Sequence, residues 1–544
     1  MLALRETQLL VNILRKDARR ALSMRVAGYP KVYYCSFLLR DIDWFNTWAA
    51  AGSTYRTRTD HTRNVLCDVR VGSYRYDQTT KGGLVDDASE LESTKHVNVP
   101  VDSRHFGGLR LALWRLSEAK FREALKDYSS KESARIAAAD IAGELPNFSK
   151  CKRVLRWSRV IPQRIDPRRW QEFVRIASAF ANSLPKVSTG WVEFEASQES
   201  RIFVNTEGST IVQHTRVFSL TCTLRRIMPD GITIEQDVVI NVGDLRELPT
   251  LRKFKRMIER KHKKLIELSR AKEIHAFSGP VLLYSRPAAL LFHETLGHRL
   301  EGSRLLSSDE GQTLKGLEGK RITNEALEIR DNPCLKRFKG ELCIGAYEVD
   351  DEGTPALNTL LVDRGVLTGF LNTRAVTHRK GFIPNGHARS KRHHRPVSRM
   401  GVFMVSGHKT KKIAQLRSML LEEIIKQGKL FGMIVYETSG GETDTTNYDF
   451  QAFRGEISYA TLLYSNGKER LVRGVNIVGT PLQALDNVIG IGDTRELDNS
   501  FCGAESGLLP VSMIAPAVLF SNLELQAKNE ESAAPSILKR PRLT

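Results

Sequence analysis

Two histidines five residues apart, His293 and His298, with Glu294 directly after the first, constrain this 544-residue chain more than any other feature. The string reads His293-Glu294-Thr295-Leu296-Gly297-His298. Neutral imidazoles suit zinc, and an adjacent carboxylate that is not itself a ligand is what a zinc hydrolase uses as general base. In a regular α-helix, side chains at i and i+5 point about 140° apart, so two such imidazoles cannot share one ion. Shared coordination therefore needs a π-turn, which pairs i with i+5, or a helix that ends inside the motif. Gly297, directly before the second histidine, makes either distortion cheaper. If the helix is regular instead, one histidine is a ligand to nothing.

The surroundings favour the metal reading. Val281 to Leu283 reads as a strand, followed by a helix initiated at Pro287 that runs into the histidine string. Downstream come Val349-Asp-Asp-Glu-Gly-Thr-Pro355, Gly365-Val-Leu-Thr-Gly-Phe370, Arg399-Met400 and Phe501-Cys-Gly-Ala-Glu505. In this combination and order the chain resembles the TldD/PmbA family of zinc metallopeptidases, once described as modulators of DNA gyrase. The resemblance is clearest from about Gly279 to Leu525 and continues more weakly before it, as at Asp68-Val-Arg-Val-Gly-Ser-Tyr74.

That resemblance implies a zinc ion held by His293, His298 and a distant cysteine, which falls at Cys502 and is followed by Gly503 as in the family's pattern. Three protein ligands leave one tetrahedral position open for water, the mark of a catalytic zinc. Glu294 is then the base that takes the water's proton and passes it to the leaving amine. Glu301, three residues after His298, is either a carboxylate orienting that imidazole or an ordinary surface or capping group. The family's partner subunit usually lacks the metal string, so its presence here implies the catalytic type. The resemblance also implies a dimer, with itself or with a related subunit. Its cleft would take unfolded proteins or short peptides as an added strand. Gly440-Gly-Glu-Thr-Asp-Thr-Thr446 reads as a polar loop, either shaping that cleft or merely connecting. One departure is Gly401-Val402-Phe403 after Arg399-Met400, where the family commonly carries an asparagine. This puts a substrate-anchoring role for that stretch in doubt.

Two rival readings start from other features. One is a non-catalytic interaction subunit of a peptidase complex. The other, a basic nucleic-acid-associated regulator, rests on the formal net charge of +20. The cations are scattered, however, over Arg252–Lys264, Lys409–Lys412 and Lys539–Arg542, without an aromatic platform, zinc finger or helix-turn-helix spacing. Nucleic acid is therefore not the expected partner. No apolar run approaches the ~20 residues of a membrane span. Seven scattered cysteines without a CxxC pair, and an amino terminus without an apolar leader, make the cytoplasm the expected compartment.

The expected class is α+β, an amino-terminal mixed α/β domain followed by a strand-rich carboxy-terminal domain, TldD/PmbA-like. Its parts are an amino-terminal domain over 1–247, a connecting helix over 248–275, a metal-binding β-rich domain over 276–525 and a flexible tail over 526–544. Helices are expected over Met1–Arg25, Leu109–Leu125, Ala137–Ile141, Pro167–Ala181 and Ile413–Gln427. Strands are expected over Val32–Leu39, Val65–Tyr76, a Gly190–Val242 meander turning at Asp230-Gly231, Leu342–Val349, Leu357–Val362, Val366–Leu371, Gly401–Val405, Met433–Glu437 and Glu456–Tyr464.

Overall fold

Helix α1 (Leu4–Ala21) buries Leu10, Val11, Leu14 and Ala18 along one face, against the first of two sheets. A computed structural model describes residues 2–79, 98–137, 147–158, 162–307, 310, 312–376, 383–391, 394–446 and 452–528. The first sheet opens with β1 (Val32–Ala50) and β2 (Ser53–Val71), one antiparallel hairpin whose turn at Ala51-Gly52 takes positive φ at both residues. The strands expected over Val32–Leu39 and Val65–Tyr76 cover only its inner halves, and the second overruns β2, since the chain turns after Val71. The outer half of β2 exposes Tyr55, Arg56, Thr57 and Arg58 in succession, which hides the period-2 pattern that reveals a half-buried strand.

Helix α2 (Gly107–Ala137) extends the expected Leu109–Leu125 helix by three turns; most of the helix expected over Ala137–Ile141 lies outside the described residues. Strand β3 (Leu155–Trp157) is short. Helix α3 (Pro167–Ser183) starts where Pro167 predicts, its first N–H groups donating to the Asp166 carboxylate. Strands β4 (Thr189–Asn205), β5 (Thr210–Ile227) and β6 (Thr233–Val242) form the expected meander, with Gly231 at φ +86° in the turn. The sheet order is β2-β1-β4-β5, with β3 and β6 both paired to β5. Helices α1 and α2 cover one face, while α3 and α4 (Leu251–Leu268) cover the other. The highly charged α4 buries Phe254, Ile258, Leu265 and Leu268, and two of its cations, Lys261 and Lys264, donate to Glu437 of the second sheet.

The second sheet is mixed and carries the motif. In chain order it is built from β7 (Ala276–Leu283), β8 (Leu327–Asp331), β9 (Thr359–Asp363), β10 (Val402–Gly407), β11 (Phe431–Thr443), β12 (Phe453–Tyr464), β13 (Val488–Ala504) and β14 (Gly507–Ala527), with shorter strands at its margins. Its order is β9-β8-β10-β14-β7-β11-β12, and β13 folds back along β14. Helix α5 (Ser285–Phe292) leaves β7 and packs on β14 and β11, and α6 (Ile413–Lys426) covers Leu282, Ile434 and Leu519. Here the fold corrects three local expectations, the first being the strand expected over Val366–Leu371, which is confined to Val366–Leu367. Leu342–Val349 is not a continuous strand: Glu341–Leu342 pairs at one end and Val349 bridges to Pro355 at the other, and the stretch between turns so that Gly345 presses on the backbone of Gly401 and Ser512. The loop expected over Gly440–Thr446 begins later, because β11 continues through Gly440 and Gly441 to Thr443, irregularly paired with β12, and only Asp444–Thr446 lies beyond it. Residues 529–544, including the basic Lys539–Arg542 end, lie outside the described residues. Among the described residues, no helix is long and apolar enough to cross a membrane.

The two sheets meet across a charged seam. Arg40 on β1 lies directly opposite Arg201 on β4, and both donate to Asp351, at 2.7 and 2.8 Å. Buried like charges demand a shared counter-charge, and the Asp-Asp-Glu-Gly motif of the second lobe provides it.

Candidate metal centre

At His293 the regular turn of α5 gives way to a single π-turn, His293–Gly297, followed by a 3-10 turn, His298–Leu300. The His298 N–H donates to the His293 carbonyl five residues back, the pairing that the i, i+5 spacing requires. It sets the two rings 4.9 Å apart and nearly perpendicular. Both Nε2 atoms then converge on the Cys502 sulfur of β13, at 3.1 Å from His293 and 3.3 Å from His298. All three side chains are buried. Gly297 has an ordinary helical φ of −52°, so the turn does not draw on its conformational freedom.

The electrostatics suit a cation. Burial pushes the Cys502 thiol up, but the His298 and His293 imidazoles outweigh it and hold the group well below its usual range, as thiolate. The residues fit zinc: two imidazoles and a thiolate are its preferred donors, and a tetrahedral ion needs them only a few tenths of an ångström further apart, about 3.5 Å between N and S.

Glu294 points the same way without joining the donors. Its Oε2 lies 4.0 Å from His298 Nε2, and the side chain is buried. Gly441 of β11 passes directly over it: a β-carbon there would stand 3.1 Å from Glu294 Cγ.

Behind the donors lies a buried ionic network. His298 Nδ1 meets Glu301 Oε2 at 3.2 Å, which leaves Nε2 as the ligand atom. Burial pushes the Glu301 carboxyl up, yet His298 and Arg304 hold it at about 2. Glu301 is thus an orienting carboxylate and not a surface group. Arg304 donates to Glu301, Glu310 and Glu505, and Arg399 donates to the Cys502 carbonyl at 2.7 Å. Sequence reasoning missed both arginines. Arg399 lay in a motif noticed for other reasons, and nothing in the spacing singled out Arg304. His293 Nδ1, by contrast, is buried without a hydrogen-bond partner among the described residues.

A cleft of about 1250 Å³ opens between the sheets, lined by β6, by Tyr436–Ser439 of β11 and by Arg495–Ser500 of β13. Ser500 stands two residues before Cys502, so the cleft reaches the donor strand itself.

Comparison with known proteins bears on the same region. Residues 278–527 match the profile of the PmbA/TldA metallopeptidase C-terminal domain. A metalloprotease of Methanothermobacter thermautotrophicus is 28% identical over 354 residues, 63% of this chain and 70% of that protein. One from Archaeoglobus fulgidus is 31% identical over 241 residues, 44% of this chain and 51% of its own length. A zinc metalloprotease TldD homolog of Saccharolobus solfataricus is 24% identical over 248 residues, 45% of this chain and 51% of its own. The chain thus spans about half the length of the latter two relatives. Among solved structures, TldE from Thermococcus kodakarensis superposes with a TM-score of 0.59 at 14% identity, over 95% of this chain and 100% of that one. A Thermotoga maritima protein named for modulation of a DNA gyrase gives 0.62 at 17% identity, over 96% and 100%. At such identities these two establish the shared fold alone. The motif order, the matched domain and the curated relatives agree: residues 278–527 carry the PmbA/TldA metallopeptidase C-terminal domain, and the chain is similar to TldD-type metalloproteases.

Proposed function

We propose that this chain is a zinc-dependent metallopeptidase hydrolysing peptide bonds of unfolded polypeptides or short peptides, with Glu294 as general base. The observation that carries the reading is the convergence of His293 Nε2, His298 Nε2 and Cys502 Sγ with the Glu294 carboxylate beside them. A zinc ion held by those three atoms would polarise the scissile carbonyl and acidify a water molecule. Glu294 accepts that water's proton at its carboxylate and delivers it to the departing amine nitrogen. Glu301 keeps the His298 proton on Nδ1, so that the imidazole cannot turn away.

Substrate placement follows from the sheet. β7 pairs with β11 only at Met433–Val435, so between Tyr436 and Glu442 one edge of β11 has no strand partner among the described residues. This stretch runs from the cleft to Glu294, and Gly440, with open space where a side chain would stand, leaves room for a second backbone. An extended peptide pairing there would be read by its main chain, which supports a preference for unfolded over folded substrates. We place the enzyme in the cytoplasm, as a homodimer or paired with a related subunit that lacks the metal string.

The test compares zinc content and cleavage of an unfolded peptide library for the wild type and Glu294→Gln. The reading requires about one zinc in both, with cleavage only by the wild type. Cleavage retained by Glu294→Gln, or a wild type that holds no metal, would overturn it.

A further inference from the structure

We propose that Arg399 holds the two halves of the donor set in register, so that it positions ligands and does not anchor substrate; the role rests on the zinc-peptidase reading above. The histidines and Cys502 are 204 and more residues apart in sequence and sit on different elements, α5 with its π-turn and β13. One side chain reaches both. Arg399 is 1% exposed, and its Nη2 donates to the Cys502 carbonyl at 2.7 Å. Its Nε faces Glu301 Oε1 at 3.5 Å, and the other Glu301 oxygen takes His298 Nδ1. Its Nη1 donates to Ser506 Oγ and the Gly507 carbonyl at the turn that joins β13 to β14.

The path Cys502 carbonyl, Arg399, Glu301, His298 therefore joins the thiolate-bearing strand to the second imidazole. A buried guanidinium is tolerated only where its charge is paired, and Glu301 supplies that charge. The planar fork matters, because lysine gathers its three donors on one nitrogen and cannot span the Cys502 carbonyl, the Glu301 carboxylate and the β13–β14 turn as three separate nitrogens do. Arg399 is itself fixed from behind: its N–H donates to the carbonyl of the fully buried His387, and Met400 beside it lies under the π-turn. The apposed Nε and Glu301 Oε1 each lack a hydrogen bond among the described residues. A shift of a few tenths of an ångström, the size of the spreading that a tetrahedral ion asks of the donors, would be enough to close that contact.

The experiment uses the full chain loaded with zinc, as wild type, Arg399→Lys and Ser506→Ala. Zinc loss to a competing chelator, the cobalt(II)–thiolate absorption band, apo-protein melting, and peptide cleavage with and without added zinc are recorded. Arg399→Lys is expected to release zinc ~10- to 100-fold more readily, the usual cost of losing a group that orients ligands. It should also shift the cobalt band, melt within a few degrees of wild type as apo-protein, and regain cleavage at saturating zinc. Ser506→Ala, which removes only the contact to the turn, should retain zinc like the wild type. Unchanged zinc retention in Arg399→Lys would overturn the proposal. So would equal losses in both variants, or collapse of the Arg399→Lys apo fold, since either marks a general structural role. If the peptidase reading itself fails, no form cleaves peptide while the order of zinc retention still stands, so the two failures are distinct.

Discussion

Gly297 and Met400 are in direct apposition: a β-carbon on Gly297 would stand 2.3 Å from the Met400 sulfur and 3.0 Å from its methyl carbon. Met400 is fully buried, so it has nowhere to retreat. The glycine of the histidine string is thus set by packing, with the π-turn lying flat on the residue that follows Arg399.

Gly297→Ala is therefore expected to cost about 1–3 kcal/mol, as overpacking of a filled core does, and to lower zinc retention by lifting His298. Met400→Ala is destabilising alone through the cavity it leaves. Combined, the two changes should be less damaging than their sum, because the new methyl group occupies part of the vacated space. Urea denaturation of the four forms reads the coupling. Strict additivity would mean that the apposition is not what forbids a side chain at 297.

A second glycine separates chemistry from metal binding. Gly441 lies over Glu294, and a β-carbon there would be 3.1 Å from Glu294 Cγ, from Leu290 Cδ1 and from the Arg454 carbonyl. Gly441→Ala is expected to push the base out of line while leaving His293, His298 and Cys502 untouched. Misplacement of a catalytic group by a fraction of an ångström corresponds to a ~10- to 100-fold fall in kcat. Zinc content should stay at that of the wild type. A variant that loses zinc in step with activity would show that β11 supports the ligands and not the base.

How legible these features were follows from their range in sequence. The π-turn was one of two distortions that the i, i+5 spacing admits for two imidazoles on one ion, a helix end inside the motif being the other, and the spacing alone does not choose between them. The meander through Asp230-Gly231 and the start of α3 at Pro167 were equally local. Gly297 was traced to backbone freedom because its true reason, Met400, lies over a hundred residues on. The Gly440–Thr443 end of β11 looked like a loop because glycine and threonine composition imitates a turn, whereas pairing with β12 makes it a strand. The roles of Arg399 and Arg304 had no sequence signal, since their partners come from α5, β13 and the turn between β13 and β14.

The seam between the sheets gives a pH-dependent prediction. Burial pushes the Asp351 carboxyl up, but Arg40 and Arg201 outweigh it and hold it below its ordinary value. For a depressed carboxylate the stabilisation is complete above the unfolded pKa, about 3.9, and is lost as pH falls through the lower folded value. Glu199 shares Arg40, and Arg389 adds a further positive charge nearby. Asp350 and Glu352 contribute with opposite sign, because burial raises both carboxyls, helped by the Glu352 charge beside Asp350 and the Asp68 charge beside Glu352. The total pH profile thus mixes the three acids, and the difference between wild type and Asp351→Asn isolates one. At pH 7 the substitution removes the carboxylate facing the buried Arg201 and leaves Arg40 with Glu199, and it is expected to cost about 3–5 kcal/mol. Below about pH 4 the wild type should converge on the variant as its own Asp351 is protonated. Urea titrations of both proteins from pH 3 to 7 read this gap. A gap that stays constant to the lowest pH would show that Asp351 stabilises the seam through shape and hydrogen bonding, and not through its charge.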